Sequence, residues 1–278
     1  MPKRFSEIQP VERKVVCITG VSSGIGWALA LHFARKGYAI GGMARNQEKL
    51  RELEVLLQPM GVPVKMVAGD VAMKEDCERT MQSWFQSFGK IDALINNAGI
   101  SMRALFQDTQ PEVLEKVMAT NFWGTVYMTH AALPYLLKSK GVVAGISSVA
   151  GFKGLPARTG YSASKFAMHG FFEALRIEHL HTGVGVVLVC PGFTASNIRQ
   201  TALSADGSAQ GESPRDEAAM MQPEEVAEAV FKAIDKRKAL TVLTTQGKLT
   251  YWINKFFPGF VDKKVFAHLA KEADSPLR

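Results

Sequence analysis

Cysteine is scarce and scattered: Cys17, Cys77 and Cys190 are the only three in 278 residues, with no Cys-x-x-Cys pair. An odd number at such separations excludes a disulfide framework and a thiolate metal knuckle. Two of the three sit in apolar strand-like runs, so buried, reduced thiols are expected. Long apolar runs are also missing. No stretch reaches the roughly 18 residues of a membrane-spanning helix. The opening Met1 to Glu7 has no apolar signal core, and we expect a cytoplasmic chain. Charge of one sign is not concentrated either. The net +7 is spread along the chain, densest at Lys236-Arg237-Lys238, where a helix end accounts for it. Nothing matches a nucleic-acid-binding motif, so no nucleic-acid partner is expected. His32, His130, His169, His179, His181 and His268 show no metal-ligand spacing, and no metal is expected.

What is present is alternation. Lys14 to Gly20 reads as a buried strand, Val21-Ser22-Ser23-Gly24-Ile25-Gly26 as a glycine-rich turn, and Ile25 to Lys36 as an amphipathic helix with Ile25, Leu29 and Phe33 on one face. Strand, glycine turn and helix in this order form a phosphate cradle. The glycines admit a pyrophosphate close to the backbone, and the helix N-terminus offers free N–H groups. A second strand, Tyr38 to Met43, ends at Ala44 and Arg45. An NAD-preferring site has an acid near this point, about 20 residues after the glycines. Here Ala44 has no carboxylate and Arg45 can pair with a 2′-phosphate, which points to NADP(H) over NAD(H).

Further along, helices are expected over 47–57, 74–88 and 112–137, and strands over 62–68, 91–95, 142–146 and 184–189. A helix over 223–236 and a strand over 240–245 complete the series. The pattern predicts a single-domain Rossmann-like α/β fold: a doubly wound parallel sheet with helices on both faces. Ligands bind beyond the carboxyl ends of such strands. Gly20, Ala44, Asp70, Asn96, Ser148 and Pro191 all fall at those ends.

Tyr161 and Lys165, four residues apart at a helix start, share one face, and Ser148 closes the strand before them. The trio suits proton transfer to a substrate oxygen. A phenol has a pKa of about 10, and bringing it near neutrality takes about 4 kcal/mol of differential stabilisation, which a close ammonium supplies. Tyr-x-x-x-Lys alone fits a solvent-facing helix start equally well; the surrounding motifs decide.

Those motifs are Thr19 to Gly26, Asn96-Asn97-Ala98-Gly99, Asn121, Ser148, Tyr161-x-x-x-Lys165 and Pro191-Gly192. In this order and spacing the sequence resembles the short-chain dehydrogenase/reductase family, over roughly residues 13–245. The resemblance implies an NAD(P)-dependent oxidoreductase with catalytic Asn121, Ser148, Tyr161 and Lys165. It implies that the tyrosine donates the proton, that the lysine lowers the tyrosine pKa and holds the nicotinamide ribose, and that the asparagine supports a water. It also implies cofactor contacts from Gly20, Ser22, Ser23, Gly24, Ile25, Gly26, Asp70, Val71, Asn97, Ala98, Gly99, Tyr161, Lys165, Pro191, Gly192 and Thr194, beside Arg45. Thr194 departs from the aliphatic residue often found there. A homodimer or homotetramer is the implied assembly, and the small-residue stripe Ala163, Ala167, Gly170 and Ala174 fits its contact.

We therefore expect a catalytic NADP(H)-binding domain over 13–247, with a lid near 194–222, and a C-terminal extension over 248–278. Met102, Leu105, Phe152, Leu155 and Phe193 are candidate pocket residues, though packing explains each as well. The aromatic and basic tail either packs on the lid or a neighbouring subunit, which we favour, or forms a peripheral membrane foot. The expected activity is NADPH-dependent reduction of a ketone or aldehyde, or the reverse on a secondary alcohol. The alternatives are a 3-oxoacyl-carrier reductase, a steroid- or lipid-ketone reductase at a membrane surface, and a non-catalytic NADP(H)-sensing scaffold.

Overall fold

The computed structural model describes residues 9–211, 220–272 and 275–277. The first half runs β1 (Val15–Thr19), α1 (Gly24–Arg35), β2 (Ala39–Ala44), α2 (Gln47–Leu57), β3 (Val64–Ala68), α3 (Lys74–Phe88) and β4 (Ala93–Asn96). Then come α4 (Pro111–Met118), α5 (Gly124–Ser139), β5 (Val142–Ile146), α6 (Thr159–Glu178), β6 (Gly185–Cys190), α7 (Pro223–Asp235), β7 (Leu240–Val242), α8 (Thr245–Phe256) and α9 (Pro258–Leu269).

The seven strands form one sheet in the order β3-β2-β1-β4-β5-β6-β7, and every pairing is parallel. Parallel strands are covered on both faces, so their sequences are apolar throughout rather than alternating with polar residues. β1, β2, β4, β5 and β6 are buried at every position. Successive side chains part to opposite faces. Val16 and Ile18 meet Phe33 of α1, Leu53 of α2 and Val230 of α7. Val15 and Cys17 meet Trp84 of α3, Met128 of α5 and Phe172 of α6. Cys17, Cys77 and Cys190 are all buried free thiols.

The chain leaves β1 toward β2 and β3, then returns to β4 on the other side of β1. That reversal opens a crevice beyond the ends of β1 and β4, the usual ligand position in such sheets. The Thr19 hydroxyl holds the crevice floor by accepting the Asn97 and Ala98 N–H groups, both at 3.0 Å.

Two elements differ from the sequence expectation. The single helix expected over 112–137 is α4 and α5 joined by a π-helical turn, Ala119–Trp123. The wide turn carries Asn121 inward, where its side chain bonds another chain segment, as described below. π-Turns of this kind recur at functional sites. The final strand is only three residues long, because Thr244 caps α8 by accepting the Gly247 N–H at 3.0 Å. The tail expected from residue 248 is the helical pair α8–α9. Of the expected lid, residues 212–219 lie outside the described residues. The rest is tied down by bridges Met102↔Leu203 and Thr194↔Met221.

Trp84 is fully buried, and its indole donates to the Lys65 carbonyl at 3.1 Å. Its ring lies close against Gly41, where an added Cβ would come within 3.0 Å of it. Trp84→Ala is expected to cost about 3–5 kcal/mol, from the cavity and the lost bond. Urea unfolding with unchanged m-value would show it as a lowered midpoint.

Candidate active site

At the end of β1 the backbone turns through Gly20 (φ +72°) and Gly24 (φ +53°), both in the left-handed region that glycine alone enters freely. A Cβ on Gly26 would lie 2.1 Å from the Gly20 carbonyl, so only glycine closes this turn. Ser23, at the N-cap of α1, makes no side-chain cap bond, and the first turn of α1 holds no acid. The positive helix end thus faces open space over Gly20 to Gly26, ready for an anion. Across it, Arg45 lies 3.8 Å from Asp70 and is mostly exposed. Asp70 accepts the Ala72 N–H at 3.0 Å, which shapes the turn at Val71. These residues fit a dinucleotide: a tight glycine cradle for phosphates and a cation where the adenosine ribose would end.

At the other end of the crevice, Ser148 follows β5, and its hydroxyl accepts the Ala150 N–H at 3.2 Å. Tyr161 and Lys165 project from the first turns of α6. The Lys165 ammonium donates to the Ile146 carbonyl at 2.8 Å and lies 5.8 Å from the Tyr161 ring centre. Burial pulls its pKa down to about 8, slightly opposed by Cys190. Tyr161 moves the other way. Burial raises it above the ordinary phenol value; a hydrogen bond with Ser148 and the charge of Arg158 pull it partly back. The direction is opposite to the one expected from the sequence. Drying the phenol outweighs the nearby cations, and the cation acting on it is Arg158.

Asn121 sits behind this wall, fully buried. Its oxygen accepts the Ile100 N–H at 2.8 Å, and its amide donates to the Ile100 carbonyl and the Ser164 hydroxyl, each at 2.9 Å. Every other residue singled out for catalysis or cofactor contact lines one chamber of about 1140 Å³. That exceeds the roughly 300–1,000 Å³ of a pocket for one small molecule, which leaves room for a dinucleotide and a second ligand.

Comparison with known proteins bears on what this chamber is. A family model described as short chain dehydrogenase matches residues 14–207. The "11-beta-hydroxysteroid dehydrogenase-like 4A" of Arabidopsis thaliana is 37% identical over 260 residues, 93% of this chain and 85% of that protein. The "11-beta-hydroxysteroid dehydrogenase A" of Sesamum indicum is 34% identical, over 91% of this chain and 74% of that protein. The chain belongs to the short-chain dehydrogenase/reductase family. Among solved structures, an alcohol dehydrogenase from the archaeon Thermococcus sibiricus, complexed with 5-hydroxy-NADP, superposes with TM-score 0.72 at 26% identity. It covers 84% of this chain and 95% of that one. A short-chain dehydrogenase/reductase from Burkholderia phymatum in complex with NAD shares the fold, with TM-score 0.80 at 21% identity over 91% of this chain and 97% of that one. Family members are NAD(P)-dependent dehydrogenases and reductases, and this chain is an enzyme of that kind.

Several residues of this short-chain dehydrogenase escaped the sequence reading. Leu155 and Phe193 do line the chamber, but Met102 packs into a small core with Val113, Val117 and Leu203. Leu105 and Phe152 are not on the wall; Phe152 packs edge-on against His169 and Tyr251. The far wall comes instead from the tail, through Ile253, Val261, Val265 and Leu269. Two ion pairs strap this roof to the body. Lys153, on the loop after Ser148, bonds Asp262 and, at 3.0 Å, Asn254. Arg103, beyond β4, pairs with Glu272 at 3.7 Å, both side chains almost fully buried. Only long-range packing reveals such residues; nothing local in the sequence marks them.

His169, one helical turn past Lys165, is a further case. Its Nε2 lies 2.9 Å from the Ser147 hydroxyl and 3.5 Å from Cys190 Sγ. Burial first, and then the Lys165 charge, pull its pKa down to about 4. A base with a lowered folded pKa protonates first in the unfolded chain. Its contribution to stability is therefore whole above about pH 6.5 and is lost as pH falls toward 4. The expected slope from this group is at most about 1.4 kcal/mol per pH unit. Urea midpoints of wild type and His169→Asn, compared between those pH limits, should show a shallower acid loss in the variant.

Proposed function

We propose that this enzyme is an NADPH-dependent carbonyl reductase acting on a bulky, apolar ketone of steroid or lipid type, with Tyr161 as the proton donor. The observation that carries the reading is the meeting of Tyr161, Ser148 and Lys165 on one wall of a chamber whose other end is a phosphate cradle. The bound dinucleotide supplies the hydride. Ser148 holds the substrate oxygen by a hydrogen bond and orients it toward the phenol. Tyr161 delivers its proton to that oxygen, and the Arg158 charge stabilises the phenolate left behind. A phenol held above its usual pKa rests protonated near neutral pH, the form from which a proton can pass to the substrate oxygen. Asn121 acts from behind, fixing the Ile100 peptide and the Ser164 hydroxyl against α6.

Preference for NADP(H) rests on Arg45 and on the absence of an acid at position 44 or 45. The apolar roof and the printed names of the plant relatives favour a steroid-like substrate over an acyl group presented by a carrier protein. The stripe Ala163, Gly170 and Ala174 is exposed on α6 beside Phe166, which supports a homodimer or homotetramer through that face.

Tyr161→Phe is expected to lower kcat by about 10²–10⁴-fold while NADPH still binds, as fluorescence titration would report. Unchanged turnover would remove the mechanism, and absence of turnover on any carbonyl in the wild type would favour an NADP(H)-sensing scaffold. Separately, Arg45→Ala is expected to weaken NADPH binding about tenfold or more through loss of a charged hydrogen bond, and to leave NADH binding unaltered. Paired titrations with both nucleotides decide it.

A further inference from the structure

The hairpin α8–α9 has two faces of different character. Its inner face, with Ile253, Val261, Val265 and Leu269, roofs the chamber. Its outer face is aromatic and bare. Trp252 is 59% exposed, Phe256 72%, Phe257 66%, Phe260 54% and Phe266 52%. Leu249, Trp252 and Phe256 recur at spacings of three and four, so they form one stripe along α8. The stripe runs into the corner Phe256-Phe257-Pro258-Gly259-Phe260, exposed at every residue. Side chains of this size are rarely left in water as a contiguous patch without a partner.

The charges around the patch are of one sign. Between Thr245 and Leu269 the sequence has four lysines, Lys248, Lys255, Lys263 and Lys264, and a single acid, Asp262. That acid is taken up by Lys153. The lysines are exposed and fold over the rings: Lys255 stands 4.4 Å from the Tyr251 ring centre and 4.9 Å from that of Trp252, and Lys264 lies 5.6 Å from that of Phe260. Apolar rings ringed by long cationic side chains suit a surface with an oily interior and an anionic skin. Among the described residues no helix is long and apolar enough to cross a membrane, so contact would be from one side. Leu249, Phe260 and Lys264 belong both to this exposed face and to the chamber lining, so the chamber opens there.

We propose that the outer face of α8–α9 is a foot that seats the enzyme on an anionic lipid surface. The chamber mouth then faces the bilayer, and an apolar substrate enters from it without crossing water. The entry route rests on the proposed function; the lipid contact does not, because it is read without turnover.

The test is co-sedimentation of the full-length protein with phosphatidylcholine vesicles, with and without phosphatidylserine. Pelleting should require the anionic lipid and fall at high salt. A lysine near an anionic surface strengthens partitioning roughly fivefold. Lys255→Glu with Lys263→Glu should therefore weaken it about tenfold or more, as should Trp252→Ser with Phe256→Ser and Phe257→Ser. Thermal melting confirms that each variant is folded. Failure of the wild type to pellet, or pelleting that neither variant weakens, overturns the proposal. So does a concentration-dependent dimer abolished by the aromatic substitutions, which would assign the face to a second copy of the chain.

Discussion

A buried ammonium governs the end of the crevice where Tyr161 and Ser148 lie. Lys165 is buried; its ammonium donates to the carbonyl of Ile146 and lies 3.5 Å from the Met168 sulfur. Burying a cation is costly unless it is paired or can shed its proton. Its neighbours are arranged accordingly. His169 is kept neutral by its own burial and by the lysine, and the Cys190 thiol is pushed up to about 12. The contact also ties α6 to the end of β5, which sets Tyr161 and Ser148 on the same wall. A proton that leaves at about pH 8 then sits one helical turn from a phenol that resists losing its own.

The sheet and its ligand edge were legible because parallel strands need unbroken apolar runs and their ends need glycine, asparagine or serine. Gly20, Asp70, Ser148 and Pro191 could be placed beyond the strands from the pattern of elements, while Ala44 and Asn96, placed with them, are the last residues of β2 and β4. The π-turn at Asn121 was not legible, since α-helical spacing continues on both sides and only the bond to Ile100 betrays the extra width. The order of influences on Tyr161 was missed for a different reason. Sequence spacing gives the distance between charges along a helix but not the desolvation, and here desolvation decides the direction. Arg158 lies between Ser148 and Lys165 in the sequence, and only the folded loop brings its charge to bear on the phenol.

The chamber is built from two sources under unlike packing constraints. Its glycine-cradle half comes from strand ends, where a Cβ on Gly26 or a shift of Thr19 would meet backbone within a few ångströms. Its roof comes from the tail helices, whose inner residues need only be apolar and of suitable size. The two halves are therefore separately adjustable.

The straps give that adjustability a condition. Both place the base on the body, Lys153 and Arg103, and the acid on the roof, Asp262 and Glu272. A roof transplanted from a cousin enzyme would have to bring a carboxylate to each anchorage, or leave the almost fully buried Arg103 without Glu272 at a cost of several kcal/mol. Interchange of substrate modules is thus governed less by the shape of the lining than by a two-point electrical socket at its margin.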